Sequence, residues 1–532
     1  MSWNTHWDNK HRCPKYVFLI LALFSCLVVS SQFTSTNLDR LVAAQVAKKE
    51  ITGRIPENIK IFYSLNGYKF SWLAINDWNR KALFDLLSEA EKYALRATDY
   101  RLDWADSIQY RLPKLKNFDD SLLLDLNITA RALSFFSDLD FGIQKPAFGY
   151  EGLDNPPACH DIPVLLVDAM AKKDLHQLAR KLNSTLPELL PLSNKLEILL
   201  QRAADTSFKE TVIASSKATP TNLPLVRKLY GLGIWDSLPK QLTEKQVKAA
   251  VKMAQQQFTL MADGVLRSTI LEQLNVPLAS RVEQLKLAIN YYRWLHRLAM
   301  NEAVIVVNIP SAYMKVYRKD LVILEMRMVL GKPMTPTPTL TSRINEVILY
   351  PYWHVPRSIA TKELLPMFRQ NPGLVNSGSF QILDSRARII DPYKVNWKEL
   401  NAKNFPYLVR QSTGCDNALG LLKLDFYSPF GVYLHDTPHK SAFLLNKRFF
   451  SHGCLRMENP VGLGHLVLRN NALAIDTIEQ KGCLLNQAPI IVHADEKMPV
   501  VVWYNPVGTD STGRVLFFED VYKKFPALTK RK

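Results

Sequence analysis

Cysteine is scarce in this chain, and its scarcity limits the kinds of site that the sequence can hold. The 532 residues include six cysteines, and two of them, Cys13 and Cys26, fall near the start. The others are Cys159, Cys415, Cys454 and Cys483. If one of these four is a working thiol, three are left, which is an odd number for a disulfide framework. One bridge fits an oxidising compartment, but the sequence does not assign it.

The chain also lacks a long hydrophobic run near its start. Residues 16–29 form an apolar stretch that follows Lys10, Arg12 and Lys15. A membrane-spanning helix needs about 20 apolar residues, so this short run has the layout of a secretory signal. Cleavage after Ser31 and retention as an anchor in the inner membrane both remain open. Either outcome predicts a protein of the cell envelope, with its bulk in the periplasm.

Acidic residues are outnumbered by basic ones. The sequence has 67 Lys and Arg against 49 Asp and Glu, a net charge of +18, which favours anionic partners. It has no helix-turn-helix, no zinc-finger spacing and no aromatic-flanked RNA motif, so we do not expect nucleic acid to be the partner. A hydrophobic content of 47% and a charged content of 22% are typical of globular proteins. The length predicts several domains.

The first half of the chain is predicted to be helical. Residues 33–210 show apolar positions at three- and four-residue spacing, which indicates a helical scaffold domain after the targeting segment at residues 1–32. Residues 211–280 combine a linker with a compact unit of three helices. In this unit, Thr243 and Gln246 form a capping box. Residues 281–302 continue as an amphipathic connecting helix.

The second half changes to short β-like runs separated by turn residues. These runs predict a mixed, β-rich domain over residues 303–500, followed by an extension with a basic tail at residues 501–532. A long interruption at about residues 357–425 indicates a functional insert. The predicted fold class is therefore multidomain α+β.

The segment Ser451-His452-Gly453-Cys454 carries the clearest chemistry. A thiol is a good nucleophile only as the thiolate, and a nearby imidazole can take its proton. His435 ends an apolar run nineteen positions before Cys454, so two converging strand ends would bring the pair together. We predict that Cys454 is a nucleophile and that His435 is its base. The N–H groups of Gly453 and Cys454 are candidates for stabilising an oxyanion.

This segment resembles the signature of the L,D-transpeptidase (YkuD) family, in which a histidine, fifteen residues and Ser-His-Gly-Cys follow one another. The amino-acid sequence at residues 331–333, 351–359 and 417–420 resembles that of the large YcbB-type branch of the family. The resemblance implies a catalytic domain whose insert caps the active site, and it implies that the three-helix unit is peptidoglycan-binding-like.

Further site residues are predicted around the catalytic pair. Ser451, His452 and Gly453 are assigned to the oxyanion or pocket region. Arg456 is a partner for a substrate carboxylate, because its guanidinium forms a bidentate fork. The remaining residues predicted to bind substrate are Tyr352, Trp353 and Asp436. Either the Asp436 carboxylate or a backbone carbonyl next to His435 would orient the imidazole. No metal and no cofactor is expected.

The family resemblance implies that the substrates are peptidoglycan stem peptides. A tetrapeptide stem would donate its third residue, a diamino acid, and release D-alanine, while the side-chain amine of a second stem would be the acceptor. Water as acceptor would make an L,D-carboxypeptidase, and a lipoprotein lysine is another candidate acceptor. Other cell-wall synthesis enzymes are candidate partners. Two alternatives are a zinc peptidase using His435 and His439 and a non-catalytic wall-binding protein.

Overall fold

The computed structural model describes residues 33–48, 50–51, 53–74, 77–100, 117–154, 160–183, 186–205, 211–214, 216–469 and 473–529. The predicted targeting segment at residues 1–32 and Cys159 lie outside these ranges. Among the described helices, none combines the length and the hydropathy of a membrane span. The described residues divide into two compact units: one is made of residues 33–141 and 160–183, and the other of residues 142–154 and 186–529.

The first unit is helical, as its apolar spacing predicts. Its α-helices are α1 (Ser35–Ala47), α2 (Ile55–Leu65), α3 (Trp78–Ser88), α4 (Phe118–Phe141), α5 (Ile162–Lys172) and α6 (Leu175–Leu182), with 3₁₀ turns at Ala90–Tyr93 and Ala97–Tyr100. Polar side chains start several of them. Asp77, for example, accepts a hydrogen bond from the Arg80 N–H group, which caps α3.

The second unit begins with helices that lead to the β-rich part. They are α7 (Leu189–Ala204), α8 (Leu223–Gly231), α9 (Glu244–Gln257), α10 (Ser268–Leu274) and α11 (Leu278–Ala299). The capping box predicted from Thr243 and Gln246 is confirmed at the start of α9. The helices α8, α9 and α10 lie within the region predicted to hold three helices. Helix α11 is buried along most of its length.

A mixed sheet follows. Its strands, which include one short strand from the segment before α5, are β1 (Tyr150–Glu151), β2 (Val304–Asn308), β3 (Tyr313–Arg318), β4 (Leu321–Gly331), β5 (Leu340–Leu349), β10 (Leu422–Phe426), β11 (Leu434–His435), β12 (Phe449–Ser451), β13 (Leu455–Met457) and β14 (Ile490–Trp503). The order is β1-β5-β10-β11-β13-β4-β3-β2-β14, and β12 also pairs with β4. Because β14 pairs with β5 as well, the sheet closes on itself. A helical region followed by a mixed β-rich region confirms the predicted fold class.

The insert is a small subdomain with its own sheet and its own core. Its strands are β6 (Trp353–His354), β7 (Phe380–Leu383), β8 (Ile389–Ile390) and β9 (Leu408–Gln411), and its helical segments are α12 (Arg357–Ile359), a π-helical turn (Ala360–Leu364), α13 (Leu365–Gln370), α14 (Leu374–Ser377) and a 3₁₀ turn (Pro392–Lys394). Phe368, Ile382 and Trp397 are among its buried residues. The predicted limits of 357–425 need correction, because β6 belongs to the insert sheet and β10 to the main sheet. Buried and half-buried side chains alternate along β10, as expected for a strand with one face on the core of the main sheet.

The remaining elements follow the main strands. They are a 3₁₀ turn (Lys440–Leu444), α15 (Pro460–Leu468), α16 (Leu473–Lys481), the hairpin β15 (Val507–Thr509) and β16 (Val515–Phe517), and α17 (Phe525–Thr529). Asn459 caps α15 by accepting from the Gly462 N–H group, with Pro460 in the first turn.

A disulfide joins Cys415 to Cys483. The sequence left this pairing open, and the structure assigns it. Cys415 lies at the end of the insert, next to Asn417, whose side-chain amide donates to the carbonyls of Pro351 and Ser412. Asn417 therefore ties the start of the insert to its end, and the disulfide ties that end to the segment after α16.

Candidate active site

Three adjacent strands bring the predicted catalytic residues onto one face of the main sheet. Strand β11 pairs with β10, where Lys423 lies opposite His435, and with β13, where His435 lies opposite Arg456. Because side chains alternate along a strand, the leucines of these strands enter the core and the intervening residues point the other way. We call this other side the catalytic face, and its residues are Lys423, Tyr433, His435, Cys454 and Arg456.

His435 is held in one tautomer. Its Nδ1 lies 2.5 Å from the Asp436 carbonyl oxygen, and a carbonyl only accepts, so Nδ1 carries the proton. The free nitrogen, Nε2, is left as a proton acceptor. Burial, and after it the positive charge of Arg456, lowers the pKa of His435 to about 3. The resting imidazole is therefore neutral. Of the two predicted ways of orienting His435, the backbone carbonyl is the one present.

Cys454 is half-buried and is the free cysteine within the described ranges. Burial raises the pKa of the Cys454 thiol, while hydrogen bonds from the Tyr433 N–H and hydroxyl groups and the charges of Lys423 and Arg456 oppose this rise. Cys454 immediately precedes β13, and the parallel register of β13 with β11 sets the next residues, Leu455 and Arg456, opposite Leu434 and His435, which places Cys454 diagonally from His435. The pair at rest is therefore a thiol beside a neutral imidazole.

Tyr433 is a member of the site to which the sequence analysis gave no role. Its hydroxyl donates to the Cys454 sulfur and accepts from the Trp353 indole N–H. The ring lies 5.6 Å from that of His435, edge to face, and the Lys423 ammonium lies 4.3 Å from the ring centre. Since Tyr433 stands two positions before His435, the period-two rule for strands was the signal that could have found it.

Hydrogen bonds of the Ser451 hydroxyl stabilise the loop before Cys454. Ser451 is buried, and its Oγ donates to the Cys454 carbonyl at 2.7 Å while accepting from the Gly453 N–H at 3.1 Å. Gly453 has φ of +112°, a left-handed conformation that favours glycine. Because the Gly453 N–H is engaged with Ser451, the Cys454 N–H is a better candidate for donating to an oxyanion than the predicted Gly453 donor.

The other predicted residues take different positions. His452 is exposed and pairs with Glu363 of the insert at 2.7 Å. Arg456 lies on the catalytic face, and no carboxylate in the described ranges forms an ion pair with it, which leaves its charge for a substrate. Trp353 is linked to the site by its indole N–H, which donates to the Tyr433 hydroxyl. Tyr352 stacks under the Arg410 guanidinium at 4.4 Å and is half-buried.

Asp436 needs a correction. It was predicted to bind substrate, but it is buried, and its carboxylate accepts from the Leu421 N–H at 2.9 Å and from the Lys440 ammonium at 2.5 Å. Both oxygens thus serve the turn that follows His435. Gly420 packs against this carboxylate, and a Cβ atom there would lie 2.3 Å from Oδ2. Asp436 acts through His435, as a positioning residue.

An alanine at Gly420 is expected to damage the site at a distance. Displacing Asp436 would move the carbonyl that orients His435, and a misplacement of about 1 Å costs about 10²-fold in rate. The matched control is Gly431→Ala, because Gly431 has φ of +64° against +61° for Gly420, but no atom lies within 4 Å of the position that a Cβ atom would take there. The measurement is the turnover rate of both variants, alongside their thermal unfolding. Equal rates in the two variants would contradict the role given to Asp436.

Alkylation of Cys454 should depend on pH in a way that reflects its buried thiol. Burial raises the thiol pKa, so the reactive thiolate is a minor species at neutral pH and increases as the pH rises. His435, with a pKa of about 3, contributes no positive charge above pH 5. We expect the rate with iodoacetamide, followed on the Cys454 peptide by mass spectrometry, to rise without a plateau past pH 8. Tyr433→Phe should shift the curve to higher pH. A plateau at pH 6 to 7 would instead reveal a thiolate–imidazolium pair.

The side chains grouped closely enough to hold a metal ion, among the residues described, are His465, Asp476 and Glu479. Cys454, His435 and His452 do not belong to this group. The zinc peptidase alternative receives no support from it.

Comparisons with known proteins agree with this site. Residues 302–469 match the family model described as the L,D-transpeptidase catalytic domain (YkuD), and residues 57–196 match a model described as a scaffold domain. A Haemophilus influenzae protein named as a candidate L,D-transpeptidase is 36% identical to this chain over 165 residues. That alignment covers 31% of this chain and 33% of the relative, so the chain spans about a third of the relative's length.

Several solved structures that contain segments similar to this chain are named as L,D-transpeptidases. One from Mycobacterium smegmatis is 15% identical, with a TM-score of 0.17, over 38% of this chain and 58% of its own. One from Stackebrandtia nassauensis is 11% identical, with a TM-score of 0.20, over 56% of this chain and 98% of its own. Scores this low do not establish a shared overall fold.

The strand register and the tautomer of His435 define a site of the thiol–imidazole class, suited to nucleophilic chemistry at a carbonyl. This class of chemistry agrees with the match of residues 302–469 to the L,D-transpeptidase catalytic domain (YkuD).

Proposed function

We propose that this protein is an L,D-transpeptidase that cross-links peptidoglycan stems between their third-position diamino acids. The observation that carries the proposal is the shared face of β11 and β13, on which the Cys454 thiol lies diagonally beside an imidazole with a free Nε2. The matches to L,D-transpeptidase catalytic domains support the reaction class, and the cell wall is the compartment in which such a substrate lies.

The first half-reaction forms a thioester. The Cys454 sulfur attacks the carbonyl carbon of the third residue of a tetrapeptide stem, while Nε2 of His435 takes the thiol proton. Negative charge develops on the carbonyl oxygen, to which the Cys454 N–H would donate. The bond to the nitrogen of D-alanine then breaks, and the imidazolium returns its proton to that nitrogen. D-alanine leaves with a free amine.

The second half-reaction reverses the direction of the proton. The side-chain amine of another stem attacks the thioester carbonyl and loses a proton to His435. The carbon–sulfur bond breaks, the thiol is restored, and an amide joins the two stems. Arg456, which lies on the same face without a carboxylate partner in the described ranges, would hold a carboxylate of the donor stem.

A neutral resting pair suits this cycle, because proton transfer and attack on the carbonyl are coupled when substrate is present. The low pKa of His435 also makes its imidazolium a strong acid, which favours protonation of the departing amine.

Purified full-length protein incubated with a disaccharide-tetrapeptide tests the proposal. Mass spectrometry should reveal a dimer lighter than two monomers by one D-alanine and one free D-alanine for each link. A tripeptide monomer without dimer would identify water as the acceptor and assign the enzyme as an L,D-carboxypeptidase. An unchanged substrate, with the protein shown to be folded, would favour the wall-binding alternative.

A further inference from the structure

Aromatic side chains gather at the point where the described chain enters the helical unit. Phe33, the first described residue, is 5% exposed, and its N–H group donates to the Tyr68 carbonyl at 3.0 Å. The Phe33 ring lies 6.0 Å from that of Tyr68 and 5.6 Å from that of Phe70. The Phe70 ring in turn lies 5.8 Å from that of Phe118, at the start of α4. We call Phe33, Tyr68, Phe70 and Phe118 the aromatic end of this unit.

The aromatic end is partly open to solvent. Phe118 is 39% exposed, and Tyr68 and Phe70 are half-buried. Leu65, the last residue of α2, is 50% exposed. The turn after it is tight, because Gly67 and Tyr68 both have left-handed φ values, +64° and +54°. Since removal of exposed apolar surface from water is favourable, this end of the unit suits contact with a partner that offers an apolar layer.

Charged groups of both signs surround the aromatic end. Arg40 pairs with Asp119 at 2.8 Å, next to Phe118 in the sequence. Lys69 is exposed and forms no ion pair with a carboxylate in the described ranges, and Asp120 is exposed in the first turn of α4. Such charges exclude this surface from hydrocarbon. Aromatic rings beside charged groups instead suit the head-group layer of a bilayer, where one side of a residue is apolar and the other is wet.

The sequence places an apolar run directly before the aromatic end. Residues 16–29 form this run, and residues 30–32 alone separate it from Phe33. Fully extended, a connection of this length spans no more than about 15 Å, at about 3.6 Å per residue. If the run stays in a bilayer, Phe33 must lie in or next to the head-group layer, which is about 5–8 Å thick on each side. The exposed rings of Phe70 and Phe118 would then face that layer.

We propose that residues 16–29 are retained in the inner membrane and that the aromatic end docks on the periplasmic head-group layer of that bilayer. The bilayer is the occupant because the partly exposed rings lie where the chain leaves the apolar run, and because Phe33 is packed into the fold without a linker before it. The helical unit would thus have one fixed face towards the membrane. Docking at this surface does not depend on the proposed reaction.

Photo-crosslinking to lipid tests the docking. Full-length protein is reconstituted into vesicles of phosphatidylethanolamine and phosphatidylglycerol, with photoreactive benzoylphenylalanine in place of Phe118, Leu65 or Thr98, one at a time. We expect lipid adducts by mass spectrometry at Phe118 and at Leu65, both exposed enough to be replaced without disturbing folding. Thr98 is the matched control, because it is exposed in the 3₁₀ turn whose Tyr100 hydroxyl donates to Asp138 at 2.6 Å. Asp138 lies about 30 Å along α4 from Phe118, at 1.5 Å per residue.

Lipid adducts at Phe118 and Leu65, with none at Thr98, would support docking. Equal adduct yields at the three positions, or none at Phe118 while the protein stays in the vesicles, would overturn the docked surface. A link from Phe118 to a second copy of the chain, in place of lipid, would overturn the bilayer as occupant. Protein isolated from cells whose intact mass lacks residues 1–31 would overturn retention of the apolar run. The stem assay of the parent protein is independent of each of these outcomes.

Discussion

Replacing Cys454 with alanine is expected to abolish both half-reactions, because no other described residue on the catalytic face can form the thioester. Loss of a catalytic nucleophile costs about 10⁴-fold or more, which places turnover below detection. The measurement is dimer formation from disaccharide-tetrapeptide, together with the intact mass of the protein. The parent should show an adduct of the donor after loss of D-alanine, and Cys454→Ala should show none.

Cys454→Ser is the informative companion to this variant. It retains the loop geometry around Ser451 and Gly453 but presents a hydroxyl whose proton is far harder to remove than that of a thiol. We expect a folded protein with little or no turnover. Circular dichroism and thermal unfolding that match the parent would show that the loss is chemical. Dimer formation by Cys454→Ala at the parent rate would eliminate Cys454 as the nucleophile.

The second large effect is expected at His435. His435→Ala removes the group that accepts and donates the proton. Loss of a general acid–base catalyst lowers the rate by about 10²- to 10⁴-fold. The loss should be greater below pH 8 than at pH 10, because hydroxide at high pH can generate the thiolate without a base. The measurement is the turnover rate from pH 6 to 10. His493→Ala is the matched control, since the His493 side chain is 78% exposed.

A different outcome would change the interpretation of the site. If His435→Ala lost the same factor at every pH, the imidazole would act in packing or orientation and the proton would have another acceptor. If His493→Ala lost activity to the same degree, the effect would report on the stability of the domain.

Sequence reasoning could propose the catalytic pair because the signals there are local. His435 ends an apolar run, Gly453 marks a backbone conformation that glycine favours, and Asn459 with Pro460 marks a helix start. The same is true of the capping box at Thr243. Each of these features depends on a few neighbouring residues, and each is present in the structure.

The features that the sequence did not yield depend on distant contacts. Asp436 was predicted to bind substrate, with its carboxylate as one of two groups that could orient His435. Its burial follows from the approach of Gly420 and Leu421, which lie in the segment just before β10. The insert limits were misplaced for a similar reason, since β6 pairs with β9 more than fifty residues later. Tyr433, by contrast, stood within reach of the period-two rule.

The disulfide between Cys415 and Cys483 has a consequence for the connectivity of the chain. The residues between its two cysteines include both His435 and Cys454, so the catalytic segment is part of a closed covalent ring. A protease that cuts once inside this ring leaves two fragments that remain joined until the disulfide is reduced. In an unfolded molecule, the ring keeps Cys454 and His435 within a restricted volume. This restriction lowers the entropic cost of folding by about 2–4 kcal/mol. The ring also ties assembly of the active site to an oxidising compartment, which is where a cell-wall substrate would be met.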